Sequence, residues 1–295
     1  MAKKQKFLNK YIRDFFSYLP ISDALYVKLK YFYIFHRFID LKNPKAFNEK
    51  IQWMNLNGYF EKYSALSDKY AVREYIAKKV GRQYLNKLYG VYDHASEIDY
   101  ETLPQEFVLK VTHGSHWNIL CKDKDALDKK AARKQLDKWL NQSYYRLYRE
   151  SVYRHIKPRI ICERFIEGDN NESLIDSKFL CFNGRVQYIS ITINYFSDLP
   201  MYAGIYYDRN WERCPFTDSH SNPIDIEKPR HLKEMIEVAE KLSEGIPFVR
   251  VDLYDLKSSF LCGELTFSPD AGFGKLHPPE WDYKLGQLLK LPVEG

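Results

Sequence analysis

The sequence lacks the features that would place the chain across a membrane or mark it for export. No apolar run among its 295 residues reaches the length of a membrane-spanning helix, and the mean hydropathy is −0.51. The N-terminal lysines precede apolar residues, but Lys10, Arg13 and Asp14 interrupt these, so no signal-peptide core is present. From these absences we expect a cytoplasmic protein.

Motifs of several common enzyme classes are absent as well. The five cysteines form no Cys-x-x-Cys pair, so we expect reduced thiols and no zinc site. Neither the glycine and lysine spacing of a P-loop nor the Gly-x-Gly-x-x-Gly of a dinucleotide-binding fold occurs. The chain offers no credible Ser-His-Asp or Cys-His set, so catalysis by a side-chain nucleophile is not indicated.

Aromatic residues and positive charge, in contrast, are plentiful. The 24 tyrosines and 18 phenylalanines exclude a disordered composition, and the length suffices for a large core and two or three lobes. The net charge of +6 suits nucleic acid, an anionic membrane surface or acidic small substrates. Charge alone therefore does not choose the class of partner.

Two strand-like segments near the C-terminus carry charged residues on one face. Residues 249–254 alternate apolar and polar side chains, with Arg250 and Asp252 on the polar face. A five-residue hairpin loop centred on Lys257 predicts that Arg250 lies opposite Glu264, with Asp252 diagonal to Glu264. Because Mg²⁺ is held by one or two carboxylates plus substrate phosphates, this face is interpreted as the floor of a metal–nucleotide site. An ordinary cross-strand salt bridge is the alternative.

The rest of the chain predicts helices and strands without repeats or a low-complexity linker. Residues 1–60 are expected to be helical, with apolar side chains at helical spacing over residues 8–19. Packing against the main body explains that spacing, and a peripheral membrane helix is the alternative. The other predictions are helices near 68–76, over 125–150 and over 229–244, a connection over 88–92, and strands over 106–111, 119–122, 159–166 and 178–182.

A strand that ends in Lys110 and runs into Gly114 and Ser115 predicts a phosphate-binding loop. In such loops backbone N–H groups and an ammonium surround the phosphate oxygens. His113 and His116 are interpreted as polar loop residues rather than ligands, because no partner at metal-ligand spacing accompanies them.

Two later segments suit the rest of a nucleotide. The strand end at 160–166 would leave backbone groups beside apolar side chains, as a purine requires. Asp176 and Lys178 lie two residues apart on one strand face, where they could serve as a ribose acceptor and a phosphate donor.

In their order along the chain these motifs resemble the ATP-grasp superfamily. From about residue 25 to 293 the sequence is similar to the teichuronopeptide-biosynthesis, or TupA-like, ATP-grasp family. The likeness is carried by NPKAFNEKIQW at 43–53, DKYAVR at 68–73, FNG at 182–184 and PFVRVDLY at 247–254.

This resemblance implies an α+β ATP-grasp fold, in which two α+β lobes sandwich ATP after an N-terminal helical extension. The expected units are the helical extension at 1–60, an N-terminal ATP-grasp segment at 61–103, a small lobe at 104–168 and a C-terminal lobe with the metal site at 169–295. It further implies an ADP-forming carboxylate–amine ligase of bacterial capsule or teichuronopeptide assembly that uses ATP and Mg²⁺. The implied partners are a uronic-acid-containing glycan or nucleotide sugar and an amino acid or amine.

The resemblance also implies residue roles, motif by motif. The implied nucleotide site consists of Lys69, Lys110, Gly114, Ser115, the adenine hinge Glu163, Arg164, Phe165 and Ile166, and then Asp176 and Lys178. The implied catalytic residues are Arg250, Lys110 and Lys178, and the implied metal ligands are Asp252, Glu264 and Thr266. Thr266 stands where many ATP-grasp enzymes have an asparagine, so the second metal site is expected to be weaker or to use Ser268 or Asp270.

Other interpretations of the same sequence remain open. An acceptor site is predicted at 144–149 with 153–155, since aromatic faces stack on sugars and arginine forks bind carboxylates; a solvated helix face is its alternative. A kinase acting on a sugar or lipid-linked hydroxyl would use the same nucleotide site, with Asp270 as base. An RNA-binding protein would leave Asp252 and Glu264 unexplained, so no nucleic-acid partner is expected.

Overall fold

The computed structural model describes residues 20–166, 174–194, 202–218, 226–256 and 258–292. In these ranges helices surround two antiparallel sheets, so the predicted α+β class is confirmed. The predicted apolar helix over 8–19 and the hairpin centre Lys257 lie outside the described residues. None of the described helices is long and apolar enough to cross a membrane.

The helices are distributed along the whole described chain and include several short 3₁₀ turns. The 3₁₀ turns span Glu61–Tyr63, Arg82–Tyr84, Ala95–Glu97, Tyr100–Thr102, Ser151–Tyr153 and Pro269–Gly272. The α-helices are α1 Asp23–Phe35, α2 Phe47–Leu56, α3 Ser64–Ser67, α4 Val72–Lys79, α5 Lys129–Leu140, α6 Tyr144–Tyr148, α7 Leu232–Ser243 and α8 Glu280–Leu288.

A four-stranded sheet forms the smaller lobe. Its strands lie in the order β1, β4, β2, β3, all antiparallel. The strands are β1 Leu88–Tyr92, β2 Phe107–Val111, β3 Asn118–Cys121 and β4 Ile160–Arg164. The prediction of a mere connection at 88–92 was wrong. Every residue of this edge strand is half-buried, so neither face is marked by apolar residues alone. Its sequence, LYGVY, accordingly lacks the apolar–polar alternation that would predict a strand. The boundary expected at residue 104 falls between two strands of one sheet.

A seven-stranded sheet forms the larger lobe, in the order β10, β9, β5, β6, β7, β8, β11. Its strands are β5 Leu174–Phe182, β6 Arg185–Asn194, β7 Tyr202–Tyr207, β8 Arg213–Asp218, β9 Phe248–Asp255, β10 Phe260–Thr266 and β11 Leu276–His277. Val249, Val251 and Leu253 of β9 are fully buried and share one core with the apolar face of α7. Each such side chain contributes about 1.5–3 kcal/mol by its burial, and this fixes which face of β9 remains for Arg250 and Asp252.

The pairing of β9 with β10 differs from the symmetric hairpin that the sequence predicts. Asp255 pairs with Phe260, which leaves a four-residue loop, and Gly263 is an extra residue between the paired positions Cys262 and Glu264. Glu264 therefore lies opposite Asp252, and Thr266, rather than Glu264, lies opposite Arg250. The loop is one residue shorter than predicted and Gly263 adds one residue to β10, so beyond Gly263 the register differs from the prediction by two residues. An even difference keeps each side chain on its predicted face, although the predicted partners were wrong.

Helix α2 fixes the chain that follows β10. Asn48, Gln52 and Asn55 are at most 4% exposed, although their side chains are polar. Their amide groups donate to Gly274 O at 2.8 Å, Ala271 O at 2.7 Å and Ser268 Oγ at 3.0 Å, respectively. Buried amides stabilise a fold only when they are paired in this way. The segment 268–274 is thus held rigidly at the end of the sheet that carries Glu264.

Candidate active site

Charged side chains form a row across three adjacent strands of the large sheet. Lys178 of β5 pairs in register with Asp252 of β9, which pairs with Glu264 of β10. Asp252 is 2% exposed, whereas the Glu264 side chain is 32% exposed. The predicted convergence of two carboxylates on one face is therefore present in the structure.

Arg250 binds Asp252 through a two-point ion pair. Its Nε donates to Asp252 Oδ1 at 2.7 Å and its Nη2 to Asp252 Oδ2 at 2.6 Å, while the same Nη2 donates to Thr266 Oγ1 at 3.3 Å. Burial raises the pKa of the Asp252 carboxyl, and the Arg250 guanidinium opposes this rise. The guanidinium thus neutralises the charge of one proposed metal ligand.

Lys69 links this row to the small lobe. Its Nζ donates to Gly114 O at 2.6 Å and lies 3.6 Å from Glu264 Oε2. Burial would raise the pKa of Glu264, but Lys69 and Arg250 lower it to about 2. Glu264 is therefore ionised at neutral pH and stands between Lys69 and Arg250.

A second ion-pair cluster lies on the small sheet. Lys110 Nζ donates to Glu163 Oε2 at 2.8 Å, and Arg73 Nη1 donates to Glu163 Oε1 at 2.7 Å. The side chains are 22%, 8% and 16% exposed for Lys110, Glu163 and Arg73. Glu163, predicted only as part of the adenine hinge, here orients the lysine that is predicted to bind phosphate.

The loop predicted to cover the phosphates packs under aromatic rings. A Cβ atom on Gly114 would lie 2.7 Å from the Tyr144 ring and 2.9 Å from the Trp117 ring, so only glycine fits between them. Ser115 is half-buried at the loop tip. His113 is 3% exposed and its Nε2 lies 3.0 Å from Gln142 O, which agrees with its interpretation as a polar loop residue.

The predicted adenine hinge begins at the end of β4. The Arg164 N–H donates to Lys87 O at 2.9 Å, and its carbonyl accepts from Asn86 Nδ2 at 2.8 Å. A purine would therefore have to be recognised by the backbone groups that follow Arg164, at Phe165 and Ile166. Arg164 and Phe165 also line an open cavity of about 690 Å³ on the small lobe.

Asp176 has an orphaned oxygen close to the charge row. Lys178 Nζ donates to Asp176 Oδ2 at 2.6 Å and to Thr192 Oγ1 at 2.7 Å, but the buried Asp176 Oδ1 has no hydrogen-bond partner within the described residues. Such an acceptor is costly to bury unless a donor arrives. A ribose hydroxyl would supply that donor, as the sequence predicts.

The donor set of the charge row suits a hard cation. Asp252, Glu264 and Thr266 offer carboxylate and hydroxyl oxygens, which Mg²⁺ prefers. Among the described residues no group of three or more His, Cys, Asp or Glu side chains could hold a metal alone. Two carboxylates completed by substrate phosphates remain the arrangement that fits these residues.

Two arginines of the predicted acceptor segment form ion pairs with carboxylates elsewhere in the chain. Arg149 and Arg154 lie 3.3 Å and 3.4 Å from the carboxylate of Asp23, and Arg154 Nη1 also lies 2.6 Å from Glu61 Oε1. The Tyr145 hydroxyl donates to Asp23 as well. These arginines thus dock α1 onto the main body, and a substrate carboxylate would have to displace Asp23 or Glu61.

Sequence reasoning missed Arg73 and Glu150. Arg73 was visible only as part of the DKYAVR segment, and nothing in the sequence joins it to Glu163. Glu150 is 5% exposed, yet its side chain has no hydrogen bond or ion pair within the described part of the chain. Burial raises its pKa to about 8, and the charged groups that act on it are Lys30, Asp270, Glu264 and Arg250.

Comparison with known proteins identifies the family of the chain. A sequence model of the TupA-like ATPgrasp family matches residues 49–290. Similar solved structures include an L-amino acid ligase from Bacillus licheniformis, 15% identical with a TM-score of 0.45 over 78% of this chain and 49% of that chain. A D-alanine–D-alanine ligase from Helicobacter pylori is 16% identical with a TM-score of 0.39 over 76% and 61%, respectively.

An N5-carboxyaminoimidazole synthase from Aspergillus clavatus is 12% identical with a TM-score of 0.42, over 82% of this chain and 54% of that chain. The chain thus spans 49% to 61% of the length of these structures. No curated protein matches it.

Proposed function

Since the chain belongs to the TupA-like ATP-grasp family and has the α+β ATP-grasp fold, we propose that it is an ATP-dependent carboxylate–amine ligase. The observation that carries the proposal is the row of Lys178, Asp252 and Glu264, joined to the small lobe by Lys69. Three cations, Lys69, Lys178 and Arg250, lie beside these two carboxylates, and such cations are what binding and transfer of a charged phosphoryl group require.

In the first step, a substrate carboxylate oxygen attacks the γ-phosphorus of ATP and ADP leaves. Lys69, Lys110 and Lys178 would hold the phosphates, and Arg250 would stabilise the negative charge that spreads over the transferring group. Mg²⁺, when held by Asp252 and Glu264 with Thr266, would neutralise phosphate charge. Catalysis then rests on positioning and electrostatics, which agrees with the lack of a side-chain nucleophile.

In the second step, the amine attacks the carbonyl carbon of the acyl phosphate. The C–N bond forms, the C–O bond to phosphate breaks, and the ammonium loses two protons, one of which remains on the released phosphate at neutral pH. The acid substrate proposed here is a uronic-acid carboxylate of a surface polysaccharide or its precursor, and the family supports that choice. The amine is an amino acid or another primary amine.

The test uses hydroxylamine in place of the amine. The protein is incubated with ATP, Mg²⁺ and nucleotide-linked uronic acids, and ADP and hydroxamate are measured. A ligase makes both, because an acyl phosphate reacts with any small nucleophile that reaches it. A sugar kinase, the competing activity, would give a stable phosphosugar and no hydroxamate. Reactions without ATP and with Asp252→Asn serve as controls, and a phosphosugar without hydroxamate would contradict the ligase.

A further inference from the structure

Glu150 lies between the phosphate loop and the end of β10. The next residue, Ser151, donates its N–H to Asn55 Oδ1 at 3.1 Å, and Asn55 in turn donates to Ser268, two residues beyond Thr266. On the other side, the Tyr144 ring packs on Gly114 of the loop. Tyr144 and Ser151, which lie on the two sides of Glu150 in sequence, therefore connect the segment around Glu150 to both parts of the candidate active site.

The surroundings of Glu150 are aromatic. Tyr144 and Tyr153 flank it in sequence, their ring centroids are 4.8 Å apart, and Glu150 is the charged group that acts most strongly on both hydroxyls. Rings of this kind attract cations through their negative faces. A carboxylate among tyrosines is consequently a suitable site for an ammonium group.

No cation of the protein is paired with this carboxylate in the described structure. Lys30 is the cation that lowers the pKa of Glu150 most. Its Nζ, however, donates to the Tyr26 hydroxyl at 3.3 Å and lies 4.2 Å from the centre of the Phe273 ring. Arg250 is occupied by Asp252. Glu264 and Asp270 add negative charge nearby. Burial and these negative neighbours keep the Glu150 carboxyl mostly protonated at neutral pH, and a cation that comes from outside would stabilise its ionised form.

We propose that Glu150, together with the rings of Tyr144 and Tyr153, binds the protonated amine of the acceptor substrate. The inference rests on the proposed ligase function, because a ligase must bring an amine to the acyl phosphate that forms beside Arg250 and Glu264. It specifies the substrate class: the acceptor is a primary amine that is charged at neutral pH, and its ammonium enters next to the charge row.

The first test measures binding and needs no turnover. Propylammonium and propanol, a neutral molecule of similar shape, are added to the full-length protein with ADP and Mg²⁺, and the broadening of their NMR signals is recorded. Propylammonium should be broadened much more than propanol. Glu150→Gln should remove that difference, whereas Glu237→Gln, on the exposed face of α7, should keep it. Equal broadening of the two probes, or unchanged propylammonium broadening in Glu150→Gln, would overturn the proposal.

The second test separates the amine site from the rest of the reaction. Hydroxylamine is mostly uncharged at pH 7.5, so Glu150→Gln should leave hydroxamate formation within about twofold. With propylamine as the acceptor, in contrast, kcat/KM should fall about 10- to 100-fold through a higher KM. Equal losses in both would make Glu150 a structural residue. Ammonium selectivity without any hydroxamate would instead reject the ligase and retain the site. Glu150→Asp keeps the charge and should restore part of the selectivity.

Discussion

Replacing Lys110 by methionine tests whether this lysine binds phosphate. Methionine keeps most of the apolar stem and removes the charge. Lys110 Nζ donates to Glu163 Oε2 at 2.8 Å, and Arg73 donates to the other oxygen of Glu163. Because Arg73 remains, the variant should lose only about 1 kcal/mol of folding stability.

The effect on nucleotide affinity should be larger. A hydrogen bond to a charged group contributes about 1.5–3 kcal/mol. Lys110 is 22% exposed and must share its ammonium with Glu163, so we expect the lower half of that range. A loss of about 1.5–2 kcal/mol weakens binding roughly 10- to 30-fold.

Calorimetry with a nonhydrolysable ATP analogue and with AMP measures this loss. AMP lacks the outer phosphates, so its affinity should change less than about twofold. Lys134→Met, on the exposed face of α5, is the matched control. Unchanged affinity for the ATP analogue would mean that Lys110 only pairs with Glu163 and does not bind phosphate. Equal losses for both nucleotides would indicate a general distortion of the lobe.

Three further predictions concern the charge row, the loop and a distant carboxyl. Asp252→Asn and Glu264→Gln should each abolish Mg²⁺-dependent ADP release while circular dichroism shows a preserved fold; full activity in both would refute the metal assignment. Gly114→Ala should weaken ATP binding at least about tenfold, because its Cβ would lie 2.7 Å from the Tyr144 ring and the loop must shift. Burial raises the pKa of Asp282 from 3.8 to about 6. Its stabilisation is therefore full below pH 3.8 and is lost as the pH rises through 6, by at most about 3 kcal/mol. Urea unfolding of Asp282→Asn should lack this decline, and the opposite slope in the native chain would refute it.

The sequence was sufficient to predict which face of β9 carries the charged residues and which face of α7 is buried. Residues 249–254 alternate in sequence and in burial, and the apolar residues of α7 recur at helical spacing beneath them. These patterns survive the error in hairpin pairing, because an even shift in register keeps every side chain on its own face. The convergence of Asp252 and Glu264 on one face could thus be predicted before their pairing was known.

Contacts between distant segments could not be predicted in the same way. The pairing of Arg73 with Glu163 joins residues that are 90 positions apart, and the bridge from Asn55 to Ser268 spans 213. No local pattern encodes such contacts, since each depends on how the lobes and α2 pack. Glu150 illustrates this point, because nothing in the sequence around this glutamate predicts that the fold buries it.

The ion pairs also show what nucleotide binding has to replace. Lys69 lies beside Glu264, Lys110 beside Glu163 and Lys178 beside Asp176, so each lysine that is predicted to bind phosphate already has a carboxylate partner. Burying these lysines alone would cost several kcal/mol, and the carboxylates offset that cost before ATP arrives. Phosphate oxygens must therefore compete with carboxylates for the same ammonium groups. The net affinity of each lysine for phosphate is smaller than its charge suggests, because each gain is measured against the ion pair that is given up.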